Sequence, residues 1–512
     1  MSREVLDAQE KYPLADRAIS MPALLCMVGK AWPKGRRTDM PSLDSLLDAP
    51  NPPRGLDGRL LSDMLVWEVV QHFIQPATED AHCSYITAFN SGKLKEEHAA
   101  LLAPTDVYLE YWASGDIQCY KEWLKDPSIE YDYQAAKSYT RQLPSVATTT
   151  WFVSHAWSRP WRELVDMVWQ HYLRQPLCVL APGHWNGQRE IRIIPVFYWI
   201  DIWAVSQHFK GDFTKHPDSD FPAVITAGRG VVLTMAPWAS PVTVSRVWCL
   251  FEIMQVLKAG KLLEVFPERS FWESDHVMAE ESIKQLLSTS VDKLDCSTAQ
   301  ATVEQDRQWI MSSIESEYGI EPFNTALRGP MQDKLLEAIF MRSLKAKNIP
   351  ALALAERLGA KLTMEILDIG FWHIGPESAG LLGQVLARSP GVREMTLCGN
   401  DMEDEGATAI AEAVAANHSL KSADMGSNGI TNVGGLAMVE ALKLNPNFKV
   451  WCTDRNEFED EVALAVVAAM KEGKKMEVWF SKWNKISEDA TCAVETAWLE
   501  MRGAHDGLAL RT

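Results

Sequence analysis

Apolar positions along this chain fall into two periodic regimes. Between about 145 and 345, short continuous apolar runs alternate with stretches of helical periodicity, predicting strands at 150–154, 193–202, 230–235 and 262–266 and helices near 160–174, 243–259 and 279–288. Runs such as WFVSHAW, FYWIDI and VVLTM lack the apolar/polar alternation of a half-exposed strand, so they predict a parallel sheet buried on both faces in an α/β domain.

Beyond residue 363 the pattern becomes a repeat. Five copies beginning at 364, 392, 420, 448 and 476 share a period of 28. In the four later copies the ninth position is Asn400, Asn428, Asn456 and Asn484; in all five the eleventh is apolar, Ile374, Met402, Ile430, Phe458 and Ile486. Each copy opens with a strand-like run such as MTLCGN and continues into an amphipathic helix such as GATAIAEAVAAN. An Asn amide leaving the strand can bond open backbone groups and tie successive coils together. This unit resembles the leucine-rich repeat of the ribonuclease-inhibitor type. It departs from the pattern at Thr453 and Ser481 in the sixth position, at Trp451 and Trp479 in the fourth, and at Trp372 in place of the first Asn, which suggests a short, capped array.

The first 145 residues are less patterned. LLSDMLVWEVVQHFI (60–74) and DVYLEYWASGDIQCYKEWL (106–124) have helical periodicity, and 41–58 reads as a loop. The resulting organisation is a helical region of unreadable role at 1–145, an α/β domain at 146–345, a linker at 346–363 and the repeats at 364–512.

Composition narrows the function classes. The chain has 512 residues, 47% hydrophobic and 23% charged, as in ordinary globular proteins. Its nine cysteines include no CxxC pair, so disulfide and zinc frameworks are not indicated and a reducing, cytoplasmic setting is expected. No run reaches the roughly 20 apolar residues of a membrane span, and the start lacks a signal-peptide core. A net charge of −18 argues against nucleic acid, and the cluster Lys34, Arg36 and Arg37 is too short to reverse that. Residues 392–501 hold 10 basic against 19 acidic side chains, half of the net charge. That surface suits a basic protein partner, or simply solubility. Walker A, GxGxxG and HExxH motifs do not occur, leaving no cofactor indicated.

In open parallel sheets, ligands sit beyond the carboxyl ends of the strands. Ser154, His155 and Trp157 follow the first strand, Asp201 and Trp203 the second, and Trp238 the third, so these loops are expected to converge on one cleft. The segment SRVWCLFEI (245–253) is similar to the S-x-W-C-x-x-E-L stretch of plant-type Toll/interleukin-1 receptor (TIR) domains, with Trp248, Cys249 and Glu252 on the matching positions. FYWIDI resembles that family's second strand, and the SHAW-plus-WCLFE combination resembles a TIR-like variant of algae and protists, usually joined to repeats. The resemblance implies a flavodoxin-like sheet, self-association and an NAD glycohydrolase with Glu252 as its carboxylate. SHAW differs from the first-strand loop of plant-type and bacterial members, and the insertion APGHWNGQRE (181–190) lengthens the segment before the second strand.

One carboxylate is chemically sufficient, because nicotinamide leaves a cationic pyridinium as a neutral molecule and needs no second acid. Glu252 would hold the ribose hydroxyls and stabilise the cation, worth about 3 kcal/mol by analogy with oxyanion-hole deletions. Trp157 and Trp203 are candidates to stack on the substrate rings, although large aromatics are usually core. Structurally, Glu252 reads instead as an acid in the first turn of a helix capped by Ser245, and His155 as an orienting residue rather than a base. A thiol triad of Cys249, His155 and Asp201 would need reach between nucleophile and base, and WCLF looks buried. Two functions therefore stand: a TIR-like/leucine-rich-repeat sensor that hydrolyses NAD, or a non-enzymatic adaptor whose two domains mediate protein–protein interaction.

Overall fold

The computed structural model describes residues 12–32, 42–103, 105–108, 140–173, 175, 178–181, 190–193, 196–209, 216–238, 240–273, 279–292, 294–474, 478–480 and 483–502. The cluster Lys34, Arg36 and Arg37, residues 109–124 of the second helical run and 182–189 of the insertion lie outside them. The chain is mixed α/β and divides into two compact units, 1–273 with 288–330, and 274–287 with 331–512.

The first unit is built on a six-stranded sheet. In chain order its strands are β1 (Ala18–Ser20), β4 (Val146–Ala147), β5 (Trp151–Ser154), β8 (Phe197–Trp199), β9 (Gly230–Met235) and β10 (Leu262–Pro267); two separate hairpins pair β2 (Thr105–Tyr108) with β3 (Thr140–Leu143) and β6 (Cys178–Ala181) with β7 (Glu190–Ile193). The spatial order is β10-β9-β5-β8-β1-β4, with β10, β9, β5 and β8 mutually parallel and β1 antiparallel to both β8 and β4. Successive side chains enter opposite cores. Trp151, Val153, Tyr198 and Val232 pack on one face with α1 (Trp161–Leu173); Phe152, Phe197, Trp199 and Val231 pack on the other against α2 (Phe221–Ala227) and α3 (Val247–Lys258). Burial on both faces explains why these strands read as unbroken apolar runs. Gly230 opens β9 because a Cβ there would run into the Leu262 carbonyl of β10.

Three sequence expectations change here. The sheet is mixed rather than wholly parallel, because AIS at 18–20 and VA at 146–147 add antiparallel strands. The run 193–202 contributes only 197–199 to the sheet; Ile193 belongs to the β6–β7 hairpin and Asp201 opens a one-turn helix, Asp201–Ala204. Residues 106–108 are strand rather than helix.

In the second unit, five parallel strands, β11 (Ile366–Asp368), β12 (Glu394–Thr396), β13 (Ser422–Asp424), β14 (Val450–Cys452) and β15 (Val478–Phe480), pair in sequence order, each offset by 28 residues. Each leads to a helix: α4 (Gly375–Ala387), α5 (Glu403–Ala416), α6 (Asn432–Leu444), α7 (Asp460–Lys471) and α8 (Glu488–Arg502). The Asn ladder forms as its chemistry requires. Asn428 Nδ2 donates to the carbonyls of Leu397 and Met425 at 3.0 and 2.9 Å while its Oδ1 accepts from Asn400 N–H at 2.9 Å, and Asn456 repeats the pattern one coil on. Trp372 stands where the first Asn would, and Asn400 Oδ1, the start of the ladder, has no hydrogen-bond partner. A second ladder lies at the helix ends, where Asn417 bonds the carbonyls of Leu386 and Ser389 and Asn445 those of Val414 and Asn417. Trp451 and Thr453, the departures from the repeat, are fully buried. Residues 346–363, expected as a linker, contain helix Ile349–Arg357, capped by Asn348 and burying Leu352 and Ala355.

Candidate functional site

Two strand ends and one helix build the site. Ser154 closes β5 and is followed by His155 and Trp157; Asp201 lies two residues beyond β8; Cys249 and Glu252 lie one turn apart on the buried face of α3. Hydroxyl bonds tie these parts together: Thr243, just before α3, donates to the Thr234 carbonyl of β9, and Thr234 donates to the Ser154 carbonyl of β5 at 3.0 Å. Thr234 and Thr243 were not singled out in the sequence, although Thr234 is the one polar residue in the run GVVLTM.

Glu252 is 7% exposed and its Oε2 has no hydrogen-bond partner. Burial pushes its carboxyl well above the usual carboxylate range. The nearby Ser154 hydroxyl opposes that shift, and the negative charge of Asp201 adds to it. The Ser154 hydroxyl, fully buried, makes no hydrogen bond of ordinary geometry. Trp157 Nε1–H donates to Asp201 Oδ2 at 2.9 Å, and His155 Nε2 faces Asp201 Oδ1 at 3.4 Å, neither of that last pair of atoms having a hydrogen-bond partner. The Ser154 hydroxyl, the facing His155 and Asp201 side chains and Glu252 Oε2 thus share one neighbourhood at the carboxyl ends of parallel strands. Buried polar groups are normally satisfied, which makes this cluster the candidate site of the first unit.

The geometry does not support the thiol triad. Cys249 Sγ points at the His155 main-chain carbonyl, 3.5 Å away, rather than at the imidazole. Its thiol is raised well above its ordinary value, first by burial and then by the charge of Glu252, which disfavours the thiolate nucleophile. The first-turn reading of Glu252 is also corrected. It is the sixth residue of α3, whose N-cap is Arg246 rather than Ser245 and makes no side-chain capping bond.

Of the expected site residues, Ser154, His155, Trp157, Asp201, Cys249 and Glu252 come together. The other three tryptophans face elsewhere. Trp203 is fully buried against Phe73, Tyr85 and Trp161. Trp238 packs on Phe271, and Trp248 turns to the far side of α3, bonding Asp306 at 3.0 Å and packing near Phe221 and Trp309. Among the described residues, no group of three or more His, Cys, Asp or Glu side chains is arranged to hold a metal ion, and no helix is long and apolar enough to cross a membrane.

No family model matches the chain, and no curated protein matches it. Among solved structures it is similar to the tropomodulin C-terminal domain of Caenorhabditis elegans, with 13% identity and a TM-score of 0.26 over 33% of this chain and 93% of that one. It is also similar to the leiomodin-1 actin-binding site 2, with 16% identity and a TM-score of 0.24 over 32% of this chain and 87% of that one.

Proposed function

We propose that this protein joins a TIR-like domain to ribonuclease-inhibitor-type leucine-rich repeats and acts as a cytoplasmic signalling protein whose Glu252 site hydrolyses NAD to nicotinamide and ADP-ribose. The observation that carries the reading is the Glu252 carboxyl, buried beside the ends of β5 and β8 with its Oε2 lacking a hydrogen-bond partner and with Ser154 as its polar neighbour. A structural acid at such depth would be expected to pair with Arg, Lys or backbone N–H groups. A buried carboxyl with no basic side chain paired to it suits a cationic ligand, and the pyridinium riboside of NAD is one. The order of the parallel strands, second-first-third-fourth in the sequence of β5, β8, β9 and β10, is that of flavodoxin-like sheets, in which ligands bind where the order reverses.

In the proposed reaction the substrate's positive charge favours the ionised form of Glu252, which then hydrogen-bonds the ribose hydroxyls. The C1′–N bond breaks, nicotinamide departs with the electron pair as a neutral molecule, and the carboxylate stabilises the oxocarbenium-like centre. Water adds at C1′ and releases its proton. Self-association through the TIR-like domain and a basic protein partner on the acidic repeats complete the reading.

Its test is nicotinamide release by the full-length protein at rising concentration, beside Glu252→Gln. Release that disappears in the variant is the expected result. Absence of release even when the protein is clustered would overturn the enzymatic reading and leave both domains as interaction modules.

A further inference from the structure

The two loops that carry the polar cluster are both gripped by the amino-terminal segment. On one side Leu65 bridges Pro160 in antiparallel fashion; Val66 N–H donates to the Arg159 carbonyl at 2.9 Å, Trp67 N–H to the Trp157 carbonyl at 3.1 Å, and Trp161 N–H to the Met64 carbonyl at 2.8 Å. These bonds hold the segment that presents Trp157.

On the other side the grip is an ion. The Arg17 guanidinium, 2% exposed, donates to the Tyr12 carbonyl at 3.0 Å, to the Ala204 carbonyl at 3.0 Å and to Asp218 Oδ1 at 2.9 Å. Ala204 ends the one-turn helix that Asp201 begins, and Asp218 Oδ2 accepts from Ser206 N–H at 2.9 Å in the same loop. Gln75 donates to the Gln207 carbonyl at 2.8 Å, and the Gln207 amide reaches back to the carbonyls of Asp201, Ile202 and Val205. A buried Arg–Asp pair is a poor way to gain stability, because desolvating two charges offsets their attraction. What it does provide is direction, since a planar guanidinium reaches several acceptors in one fixed geometry.

We infer that the amino-terminal segment is a positioning element of the polar cluster, in which Arg17 fixes the loop beginning at Asp201 and thereby the bond from Trp157 to Asp201. Residues whose role the sequence left unreadable are then part of the site. The consequence for activity rests on the NAD reading above, but the geometric claim does not.

The test reads the Trp157 indole N–H resonance of the full-length, nitrogen-15 tryptophan-labelled protein, identified by its loss in Trp157→Phe. In Arg17→Met this resonance is expected to move and to exchange with water faster by about tenfold, while the Trp451 indole of the repeats stays in place. Should Arg17→Met not fold, the double variant Arg17→Met/Asp218→Leu removes both charges and keeps the volume apolar, with the same expectation. An unmoved Trp157 resonance in either folded variant overturns the inference, because a merely stabilising Arg17 would lower the melting temperature without touching that bond. Nicotinamide release is followed in parallel. A moved resonance with no release from wild type sinks the NAD reading alone, and an unmoved resonance with release present sinks the positioning role alone.

Discussion

Replacing Glu252 by Gln should make the protein more stable at neutral pH, and the gain should grow with pH. Gln has nearly the shape of a protonated Glu but cannot ionise. In the folded chain the Glu252 carboxyl is raised by burial, its Oε2 having no partner to hold a charge. In the unfolded chain a glutamate titrates near 4.3, as in model peptides. Below that value both states are protonated and ionisation makes no difference to stability. Above it the unfolded state releases its proton while the folded state keeps it, so wild type loses about 1.4 kcal/mol of stability per pH unit until the folded value is reached. Glu252→Gln escapes that loss. For a unit of this size, where 1 kcal/mol moves the melting temperature by roughly 2–3 °C, the gap between the two proteins should widen by about 3–4 °C for each pH unit between the unfolded value and the raised folded one, and then level off. Differential scanning calorimetry from pH 4 to 8, following the transition of the first unit, makes the comparison. A gap that is flat with pH, or wild type the more stable at pH 8, would falsify the view that Glu252 is buried without a partner. A variant that is more stable yet inactive is the trade-off expected where a strained group serves function.

Two further outcomes follow from particular contacts. Cys249→Ala should leave nicotinamide release within about twofold of wild type, since its thiol is raised by burial and aimed at a carbonyl; a loss as large as that of Glu252→Gln would restore a catalytic thiol. Asn428→Ala should cost about 3–4 kcal/mol in urea unfolding followed through Trp451, because it removes several buried hydrogen bonds and orphans the Asn400 N–H, whereas the carbonyls of Leu397 and Met425 keep Asn400 and Asn456 as partners. A cost below about 1 kcal/mol would mean the ladder does not hold the coils together.

Local pattern accounts for what could be read without a structure. The repeat was legible because each unit is one strand and one helix that contact the next unit at a fixed spacing, so the chemistry recurs every 28 residues and Asn400, Asn428 and Asn456 announce themselves. The second ladder, Asn417 and Asn445, carries the same spacing and was available to the same reading. The parallel strands β5 and β9 were legible for a related reason: burial on both faces leaves mostly apolar residues in an unbroken run, whereas β10, at the sheet edge with Leu262 exposed, was legible from its apolar run alone.

Three things were not legible. The segment Ala18–Ser20 is too short to signal a strand, and its apolar neighbours look like the helix that follows it at Met21–Met27. The direction of each tryptophan depends on which neighbours fill the opposite core, so Trp157 reaching Asp201 and Trp248 reaching Asp306 are not distinguished by spacing. Above all, sequence placed Glu252 on a helix but could not say whether that carboxyl would be paired, because pairing is a property of what lies across the fold.

The sequence by itself therefore determined the elements and the repeat, which short-range periodicity encodes. The tertiary structure alone decided that Ser154, His155, Asp201 and Glu252, up to about a hundred residues apart, meet at one place, with Glu252 Oε2 lacking a hydrogen-bond partner, and that Arg17 reaches the Asp201 loop from the other end of the domain. Desolvation and hydrogen-bond satisfaction are set by neighbours distant in the chain, and those are the terms that turn a glutamate on a helix into a candidate site.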